Sequence, residues 1–423
     1  MSILLRSLFI GFFSSFSICT ASFVENINII GNEHTQNHII LREIYHPISD
    51  EFDSTLALED RNRIYNLGLF STVEINPIDS SYTVFVVETF QILPLPLLEY
   101  EEGKGFSFGA GIAYLNFRGL NEKFILGGII GEENIYFLNF YDPWLFGNHG
   151  SFRSEIYQFS TESAVYNFQY QIKGFEIGTG LYRGEKHRYT ADIGAQLFFM
   201  DSTTNTSKNI EKLTTLDYYP KYQYLTSEFK YEYDTRDIYT DPIRGGRLQL
   251  IWATKLGLNS TSNRMSLNLS YKKYIGLNNI ILDPVISVKS QILMKYTKDL
   301  PLFEKEYLGG DGFVRGYSPI IQENPSEIQS NIEGSQIIYE SLQLQHTLIK
   351  RRDYYRVEAG IDLVYFVDFG ISANHINSFQ LSNLIYGYGL GLRIFVSGPG
   401  VISLDFGYNP YGSWFMHPKE GNY

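Results

Sequence analysis

The chain has 423 residues, of which 19% are charged and 16% aromatic, and its formal net charge is −12. The acidic excess argues against nucleic acid as a partner, because a phosphate-binding surface needs a basic excess. Mean hydropathy is −0.14, and beyond the N-terminus no apolar run reaches the roughly 18 residues that a membrane helix requires. These features exclude a helical membrane protein. They leave a large soluble β-sandwich and an outer-membrane β-barrel, whose aromatic girdles would account for the Tyr and Phe content.

The first 22 residues have the pattern of an export signal. A short segment with Arg6 precedes an apolar core (Leu8–Ile18), and small residues follow up to Ala21. This core is too short to span a bilayer, so residues 1–22 are predicted to be a cleaved signal peptide. Cys19 is the only cysteine. The mature chain would therefore have no disulfide or thiolate chemistry.

Residues 23–91 predict a small α+β domain with the element order β-α-α-β-β. Thr35 can cap a first helix running to about residue 45, and Asp53 or Ser54 can cap a second helix. The second helix would stop at Gly68, a natural C′ residue. The three predicted strands are Val24–Ile30, Thr72–Asn76 and Tyr82–Glu88.

From residue 92 to residue 423 the dominant pattern is the alternation of apolar and polar residues. Soluble strands average about 5–6 residues, whereas several of these runs continue for about 10, the length of a tilted strand that crosses a bilayer. About 330 residues, at roughly 20 for each strand and its connection, predict about 16 strands. The fold class is therefore an all-β transmembrane β-barrel of antiparallel strands, preceded by the small α+β domain. Pro94 and Pro96 are expected to mark the linker between the two parts.

The run Tyr307–Pro319, with the sequence YLGGDGFVRGYSP, lies between two strand-like segments. It cannot be a strand interior, because Gly309, Gly310 and Gly312 weaken pairing and allow positive φ or a close backbone approach. Two interpretations remain open at this point. The run is either the tip of a surface loop or a loop that folds inward and places Arg315 on a partner.

The pattern of the run Val357–Asp368 indicates a partner for such a loop. Every second residue from Val357 to Val367 is apolar and would face lipid. The opposite, lumenal face carries the carboxylates of Glu358, Asp362 and Asp368. An arginine on an inward-folded loop would meet these groups, and such a pair is charge-assisted and can be bidentate.

Four motifs in the barrel resemble those of the bacterial surface antigen superfamily of outer-membrane assembly barrels, which includes the BamA/TamA-like proteins. They are Tyr141–Gly147 (YDPWLFG), Tyr233–Asp237 (YDTRD), Leu308–Tyr317 (LGGDGFVRGY) and Phe366–Gly370 (FVDFG). The resemblance implies an extracellular loop that folds back into the barrel. Its tip would be Val314, Arg315, Gly316 and Tyr317. By the same resemblance, Arg315 would pair with the Asp of the Phe-x-Asp-x-Gly strand, here Asp368.

Residues 23–91 resemble a polypeptide-transport-associated (POTRA) domain, and the most specific piece is Gly68-Leu-Phe70 entering a strand. The alternative is an unrelated ferredoxin-like module. The resemblance implies a periplasmic domain that binds unfolded outer-membrane protein clients by adding a strand to its sheet edge. The barrel would lie in outer-membrane lipid. Only one such domain is visible, which leaves open whether accessory assembly proteins take part.

The C-terminus departs from the family pattern. After Tyr408, the run Trp414–Tyr423 contains Pro418, which the interior of a strand ladder would not tolerate. A final aromatic-ended strand is therefore not expected. Either the chain is incomplete at this end, or the seam between the first and last strands is short and weak.

No catalytic residue, metal site or cofactor is predicted, and the chain is not expected to be an enzyme. Gly105–Gly109 matches the G-x-S-x-G pattern of hydrolases, but Ser107 lies in an alternating run without the helix that a nucleophile elbow requires. The histidines lack metal-ligand spacing. The glycine-rich run also lacks the Gly-Lys-Ser/Thr end of a phosphate loop.

Three functions fit these features to different degrees. The first is an outer-membrane assembly factor that inserts unfolded β-barrel polypeptides, for which no nucleotide is needed because the closed barrel is the stable state in lipid. The second is a two-partner-secretion translocator, although the usual second POTRA domain and plug helix are not visible. The third is a passive porin, which has no use for a POTRA domain or an arginine-bearing inward loop.

Overall fold

The computed structural model describes residues 23–421, apart from 102–104, 132, 148, 163–167, 203–220, 259–261, 278–279, 298–304, 310–311, 318–331, 355 and 398–399. The predicted signal peptide and Gly310 lie outside the described residues. Within these ranges no helix combines the length and apolarity needed to cross a membrane.

Residues 23–91, here called the N-terminal unit, form a three-stranded sheet with two helices. The elements are β1 (Asn26–Ile30), α1 (Asn37–Leu41), α2 (Ser54–Asn66), β2 (Phe70–Ile78) and β3 (Ser81–Glu88). The sheet order is β1-β3-β2, with β1 parallel and β2 antiparallel to β3. Asp53 caps α2 by accepting the Thr55 N–H at 2.7 Å. The predicted element order β-α-α-β-β is confirmed.

Helix α1 is shorter than predicted and begins without the expected cap. It ends at Leu41 rather than near residue 45, and the Thr35 hydroxyl accepts the Asn116 side-chain N–H at 2.9 Å instead of capping the helix. The buried Asp60 carboxylate accepts the backbone N–H groups of Tyr45 and His46 at 2.9 and 3.2 Å. These bonds replace the helical ones, so the chain leaves the helix early. Asp60 also accepts the Tyr82 hydroxyl, and burial, followed by this hydrogen bond, raises the pKa of Tyr82 well above its usual range.

The remainder of the chain forms a sixteen-stranded antiparallel sheet in which neighbours in sequence are neighbours in space. Its strands are β4 (Ile92–Glu101), β5 (Gly105–Phe117), β6 (Glu122–Gly131), β7 (Glu133–Asp142), β8 (Gly150–Glu162), β9 (Phe168–Arg183), β10 (His187–Ser202), β11 (Lys221–Asp234), β12 (Arg244–Leu258), β13 (Arg264–Gly276), β14 (Val285–Tyr296), β17 (Gln336–Asp353), β18 (Glu358–Ala373), β19 (Ile385–Val396), β20 (Gly400–Tyr408) and β21 (Trp414–Gly421). Between β14 and β17, the two-residue strands β15 (Glu306–Tyr307) and β16 (Glu333–Gly334) pair with each other. Two 3₁₀ turns, Ile376–Ser378 and Leu381–Asn383, precede β19. The predicted barrel of about 16 strands is confirmed.

The two ends of this sheet are β4 and β21, which do not pair with each other within the described residues. Both contain proline. Pro94 and Pro96 lie opposite Ile112 and Ala110 of β5, and Pro418 lies opposite Leu404 of β20. The expectation of a linker at Pro94 and Pro96 was wrong. The run around Pro418, which was not expected to tolerate a ladder, pairs with β20 as strand β21. Proline is tolerated in an edge strand, where its missing N–H faces away from the partner.

The N-terminal unit is docked on the turns at one end of the sheet. The turn between β11 and β12 inserts Ile238, which is 9% exposed, into the apolar core of the unit. Asn66 holds the same turn from α2, because its side chain donates to the Asp237 carbonyl and accepts the Tyr239 N–H at 3.0 and 2.9 Å. The Asp237 carboxylate accepts three N–H groups within the turn. The motif Tyr233–Asp237 therefore shapes a turn that fixes the N-terminal unit.

Other turns at this end contribute polar and aromatic contacts to the docked unit. The Arg42 guanidinium lies 4.0 Å from the centre of the Trp144 ring, which belongs to the motif Tyr141–Gly147. The Tyr65 hydroxyl donates to Glu358, and the Ser71 hydroxyl donates to Asp353 at 2.8 Å. The contacts lie on strands far apart in the sheet, so the unit covers this end.

Ile238→Ala should loosen the N-terminal unit from the sheet. The substitution leaves a cavity in the core of the unit, and comparable large-to-small changes cost about 2–5 kcal/mol. We expect faster proteolysis between residues 88 and 92 and faster hydrogen exchange in α2, with the sheet unchanged. Ile243→Ala is the matched control, because Ile243 lies in the same turn but is 46% exposed. Equal effects of the two variants would contradict a role for Ile238 in docking.

Candidate functional site

Residues 312–317, in the connection between β14 and β17, lie against the inner wall of the sheet. Leu308 N–H donates to the Ile332 carbonyl, and Val314 N–H donates to the Leu308 carbonyl, each at 2.7 Å. Leu308 and Val314 have no exposed surface, and they pack with residues of the inner wall such as Ile337. We call residues 312–317 the loop tip. Apolar packing holds it against the inner wall.

Arg315 at the loop tip binds two carboxylates that lie on different strands. Its Nε and Nη2 donate to the two Asp368 oxygens of β18, each at 2.8 Å, and its Nη1 donates to Asp405 Oδ2 of β20 at 2.8 Å. The Arg315 backbone N–H also donates to Asp368, at 3.1 Å. The Arg315 and Asp405 side chains are 8% and 6% exposed and Asp368 is fully buried. One cation therefore links two buried anions across β19.

Neighbouring side chains complete this buried network. Ser341 of β17 donates its hydroxyl to Asp368 at 2.7 Å, and the Tyr339 hydroxyl donates at 3.3 Å. The Arg315 guanidinium lies 3.4 Å from the centre of the Phe366 ring. A buried charge is costly unless it is paired and hydrogen-bonded, and here both charges of the bidentate pair are satisfied.

Glycine is required where the loop tip crosses β19 and β20. Gly316 has a φ of +98°, and a Cβ built on it would lie 2.7 Å from the Tyr408 carbonyl carbon and oxygen. A Cβ on Gly387 of β19 would lie 1.9 Å from the Arg315 carbonyl oxygen. A side chain at either position would push the loop tip off the wall, so Arg315 could no longer reach both carboxylates.

The loop tip also contacts the last strand of the sheet. Gly316 N–H donates to Nε2 of His417 in β21 at 3.0 Å, and the Asn409 side chain donates to the Gly316 carbonyl at 2.8 Å. The Tyr317 hydroxyl donates to the Tyr386 carbonyl of β19 at 3.0 Å. The loop tip thus holds the strands β17–β21 together up to the free edge.

The structure brings together Arg315 and Asp368 but separates the other two predicted carboxylates from them. Asp362 accepts from the Gln345 side chain at 3.0 Å, and Glu358 accepts from Tyr65 of the N-terminal unit. They share a face of β18 with Asp368 but lie nearer to the end that carries the N-terminal unit. Of the predicted loop glycines, Gly309 packs on Tyr317, and Gly312 has open space around it.

Sequence reasoning did not select Asp405 or His417, nor the side chains of Tyr339, Ser341 and Asn409 that complete the site. Asp405 lies on the polar face of the alternating run Ile402–Tyr408, so the same parity rule that selected Asp368 would have placed it in the lumen. His417 carried no such signal, because the run around Pro418 was not expected to form a strand. Ser107 lies in β5, where its Oγ accepts the Glu133 N–H at 2.9 Å.

A comparison of the sequence with models of protein families identifies the family of this chain. The model of the Omp85 superfamily domain matches residues 116–412. This chain belongs to the Omp85 superfamily. The predicted resemblance to BamA/TamA-like proteins is thereby confirmed, and Omp85 proteins are outer-membrane translocators and assembly factors rather than enzymes. No curated protein sequence is detectably similar to this chain.

Solved structures similar to this Omp85 protein cover nearly all of it at low sequence identity. BamA from Haemophilus ducreyi lacking POTRA domains 1–3 has a TM-score of 0.57 and 17% identity, covering 94% of this chain and 83% of that chain. CdiB from Escherichia coli has a TM-score of 0.55 and 12% identity, covering 95% and 75%. CdiB from Acinetobacter baumannii has a TM-score of 0.52 and 13% identity, covering 94% and 73%. At these identities the likeness concerns the fold.

Arg315→Ala should destabilise the barrel by about 3–5 kcal/mol, because it leaves two buried carboxylates without their cation. Arg315→Lys should restore little, since a lysine cannot bond to both carboxylates in the planar geometry of a guanidinium. The measurement is urea unfolding in detergent micelles, followed by tryptophan fluorescence. Arg356→Ala, which breaks an exposed pair with Glu33, should change stability by no more than ~0.5 kcal/mol.

A double-mutant cycle tests the pairing itself. Arg315→Ala combined with Asp368→Ala should be no less stable than the worse single variant, because the second substitution removes a charge already left unpaired. Losses that simply add would mean that Arg315 and Asp368 do not stabilise each other.

His417→Ala should loosen β21 while leaving the rest of the sheet intact. The substitution removes the acceptor of the Gly316 N–H, and one such bond contributes about 1 kcal/mol, or roughly fivefold in exchange rate. Hydrogen exchange across residues 414–421 would report the change. His417→Gln offers a side-chain oxygen as a replacement acceptor and should exchange more slowly than His417→Ala. Unchanged exchange in His417→Ala would show that the loop tip does not hold the last strand.

Proposed function

We propose that this Omp85 protein is an outer-membrane assembly factor of the BamA/TamA kind, which inserts unfolded β-barrel polypeptides into the membrane. The observation that carries the proposal is the free edge at the two ends of its sheet. Strands β4 and β21 do not pair with each other within the described residues. An unpaired strand edge is a template for another chain, and strand addition at such an edge is an established mode of peptide recognition.

Prolines in β4 and β21 weaken the pairing of these two strands with each other. Residues two apart in a strand direct their N–H groups to the same side, so Pro94 and Pro96 remove two successive donors from one edge of β4. Because β4 remains in register with β5 through both positions, the missing donors belong to the free edge. On the other side of the seam, Pro418 removes a donor from β21. A client strand with a full set of N–H and C=O groups can compete for each edge.

The inward loop keeps the barrel intact while the seam is open. The Arg315 network and the contacts of Gly316 hold the strands β17–β21 to one another. Strand β21 can therefore present its edge to a client without separating from the sheet. In this proposal Arg315 and Asp368 act by positioning the last strands rather than by contacting the client.

The N-terminal unit serves in this proposal as a periplasmic POTRA domain. Its sheet has two edges, β1 and β2. Ser71 and Thr72 of β2 both donate hydroxyl groups to Asp353 of the barrel, at 2.8 and 3.1 Å. This leaves β1 as the edge that would receive an unfolded client by strand addition.

The test uses the purified protein in liposomes with a urea-unfolded small outer-membrane barrel as the client. We expect the client to fold faster than in empty liposomes, and Arg315→Ala to lose this acceleration. A photo-crosslinking amino acid then locates the client. Trp414 in β21 and Trp252 in β12 are a matched pair of exposed tryptophans, at 58% and 51%. Labelled clients should be captured from position 414 and not from position 252.

A third crosslinking position distinguishes an assembly factor from a translocator. Gln249 points inward, where its side chain donates to Glu232 at 3.2 Å. Capture from position 249, without capture from 414 and without accelerated folding, would favour a two-partner-secretion translocator that passes its cargo through the lumen. Steady conductance with no capture at any of the three positions would favour a porin and overturn the proposal.

A further inference from the structure

A groove of about 760 Å³ lies on the outward face of strands β6–β10. Two neighbouring rows of outward side chains run across these strands, and most of both lines the groove. The lower row consists of Leu126, Leu138, Ile156, Phe175 and Ala195. The upper row consists of Gly128, Tyr136, Gln158, Lys173 and Leu197. The outward surface of a barrel is convex, so a concave and largely apolar groove on it is a candidate binding site.

Two lysines stand at the polar boundary of the groove. Lys173 belongs to the upper row. Lys221 of β11 lies directly opposite Phe199 of β10, in the next row beyond it. Both ammonium groups lie over the Phe199 ring, at 5.8 and 5.6 Å from its centre. Gln171 is the neighbour of Phe199 on β9. The outward surface thus changes from apolar to polar and cationic within two rows.

This boundary is where lipid headgroups meet the barrel. Lysine places its aliphatic stem along apolar surface while its ammonium group reaches the headgroup level. The side chains below the boundary are strongly exposed to lipid, with Ile156 at 59% and Phe175 at 51%. The boundary lies at the end of the sheet opposite to the N-terminal unit, since the unit contacts the turn that connects β7 to β8.

We propose that the groove together with Lys173 and Lys221 is a binding site for an anionic lipid that carries a phosphate group. An acyl chain occupies the apolar rows and the phosphate lies between the two ammonium groups. Gln158 and Gln171 stand beside the lysines, where their amide N–H groups can donate to phosphate or ester oxygens. The site goes beyond the proposed function and needs only the membrane location of an Omp85 barrel, so its failure would leave the assembly proposal standing.

A lipid fits this groove better than a second protein. Within a bilayer, lipid tails are as apolar as leucine, so an apolar protein surface gains no hydrophobic driving force from association. A lipid chain fills a cavity of this kind by packing alone. The paired lysines add charge complementarity that an uncharged surface of another protein would leave unused.

Quenching of a tryptophan in the groove by bromine-labelled lipids tests the site. The reporter is Phe175→Trp in a chain carrying Trp144→Phe, Trp252→Phe and Trp414→Phe. Bilayers contain brominated phosphatidylglycerol or brominated phosphatidylcholine at equal mole fraction, and the readout is the relative association constant of the two lipids. We expect phosphatidylglycerol to be preferred by about fivefold for each lysine.

The controls use residues of the same type elsewhere on the barrel. Lys173→Gln with Lys221→Gln should bring the preference close to one, whereas Lys273→Gln should leave it unchanged, because Lys273 points outward on β13, opposite Val288. A reporter chain that keeps only Trp252 should show no preference. A preference near one at position 175 before any lysine is changed, or one that survives the double substitution, would overturn the proposal.

Native mass spectrometry of the chain with its own tryptophans gives a second measurement that does not depend on the reporter. The protein released from mixed micelles should retain phosphatidylglycerol over phosphatidylcholine, and Lys173→Gln with Lys221→Gln should abolish the difference. Equal retention of both lipids by the unsubstituted chain would overturn the proposal even if the reporter variant failed to fold.

Discussion

The structure depends on one arginine that binds two buried carboxylates on strands that are not neighbours. Arg315 reaches Asp368 on β18 and Asp405 on β20, and the glycine at position 387 of the intervening strand lets the loop pass between them. Both carboxylates are buried and paired with Arg315, so the loop cannot leave the wall without separating two buried charges from their cation. The interaction is therefore a constraint on the whole C-terminal third of the sheet.

This constraint makes the two sides of the seam unequal. On one side, β21 is held from inside the barrel through His417 and the strands behind it. On the other side, β4 pairs with β5 alone among the strands that the structure describes, and its prolines remove donors from its free edge. A barrel in which β4 and β21 formed a complete set of backbone hydrogen bonds would be more stable than one with an open seam, because unpaired backbone groups are costly in lipid. A seam that lacks donors lowers the stability gained on closing and leaves an edge that can accept a foreign strand.

The N-terminal unit adds a second constraint at the opposite end of the molecule. Ile238 in its core and the Asn66 contacts fix it to the same turn whose shape comes from the motif Tyr233–Asp237. The same end of the sheet receives Trp144 from another motif. Two of the motifs that carry the family resemblance therefore act at the junction between the unit and the barrel, while the other two meet at the loop tip.

The sequence alone determined the features that depend on local periodicity and on residue type. Alternation over about ten residues predicted membrane strands, and parity placed Asp368 on the same side as an inward loop. Asp53 was one of the two caps predicted for α2, and the structure selects it over Ser54. The end of α1 was predicted too late, because Asp60, distant in sequence, accepts the N–H groups of Tyr45 and His46. Only the tertiary structure decided that Pro94, Pro96 and Pro418 lie in strands, since proline is tolerated at an edge and edges are defined by which strands lack a neighbour. It alone added Asp405 and His417 to the site. Parity places Asp405 in the lumen, but its contact with Arg315, like that of His417 with Gly316, arises from strand order and from a loop that crosses β19 and β20. Neither of these leaves a signal in the sequence.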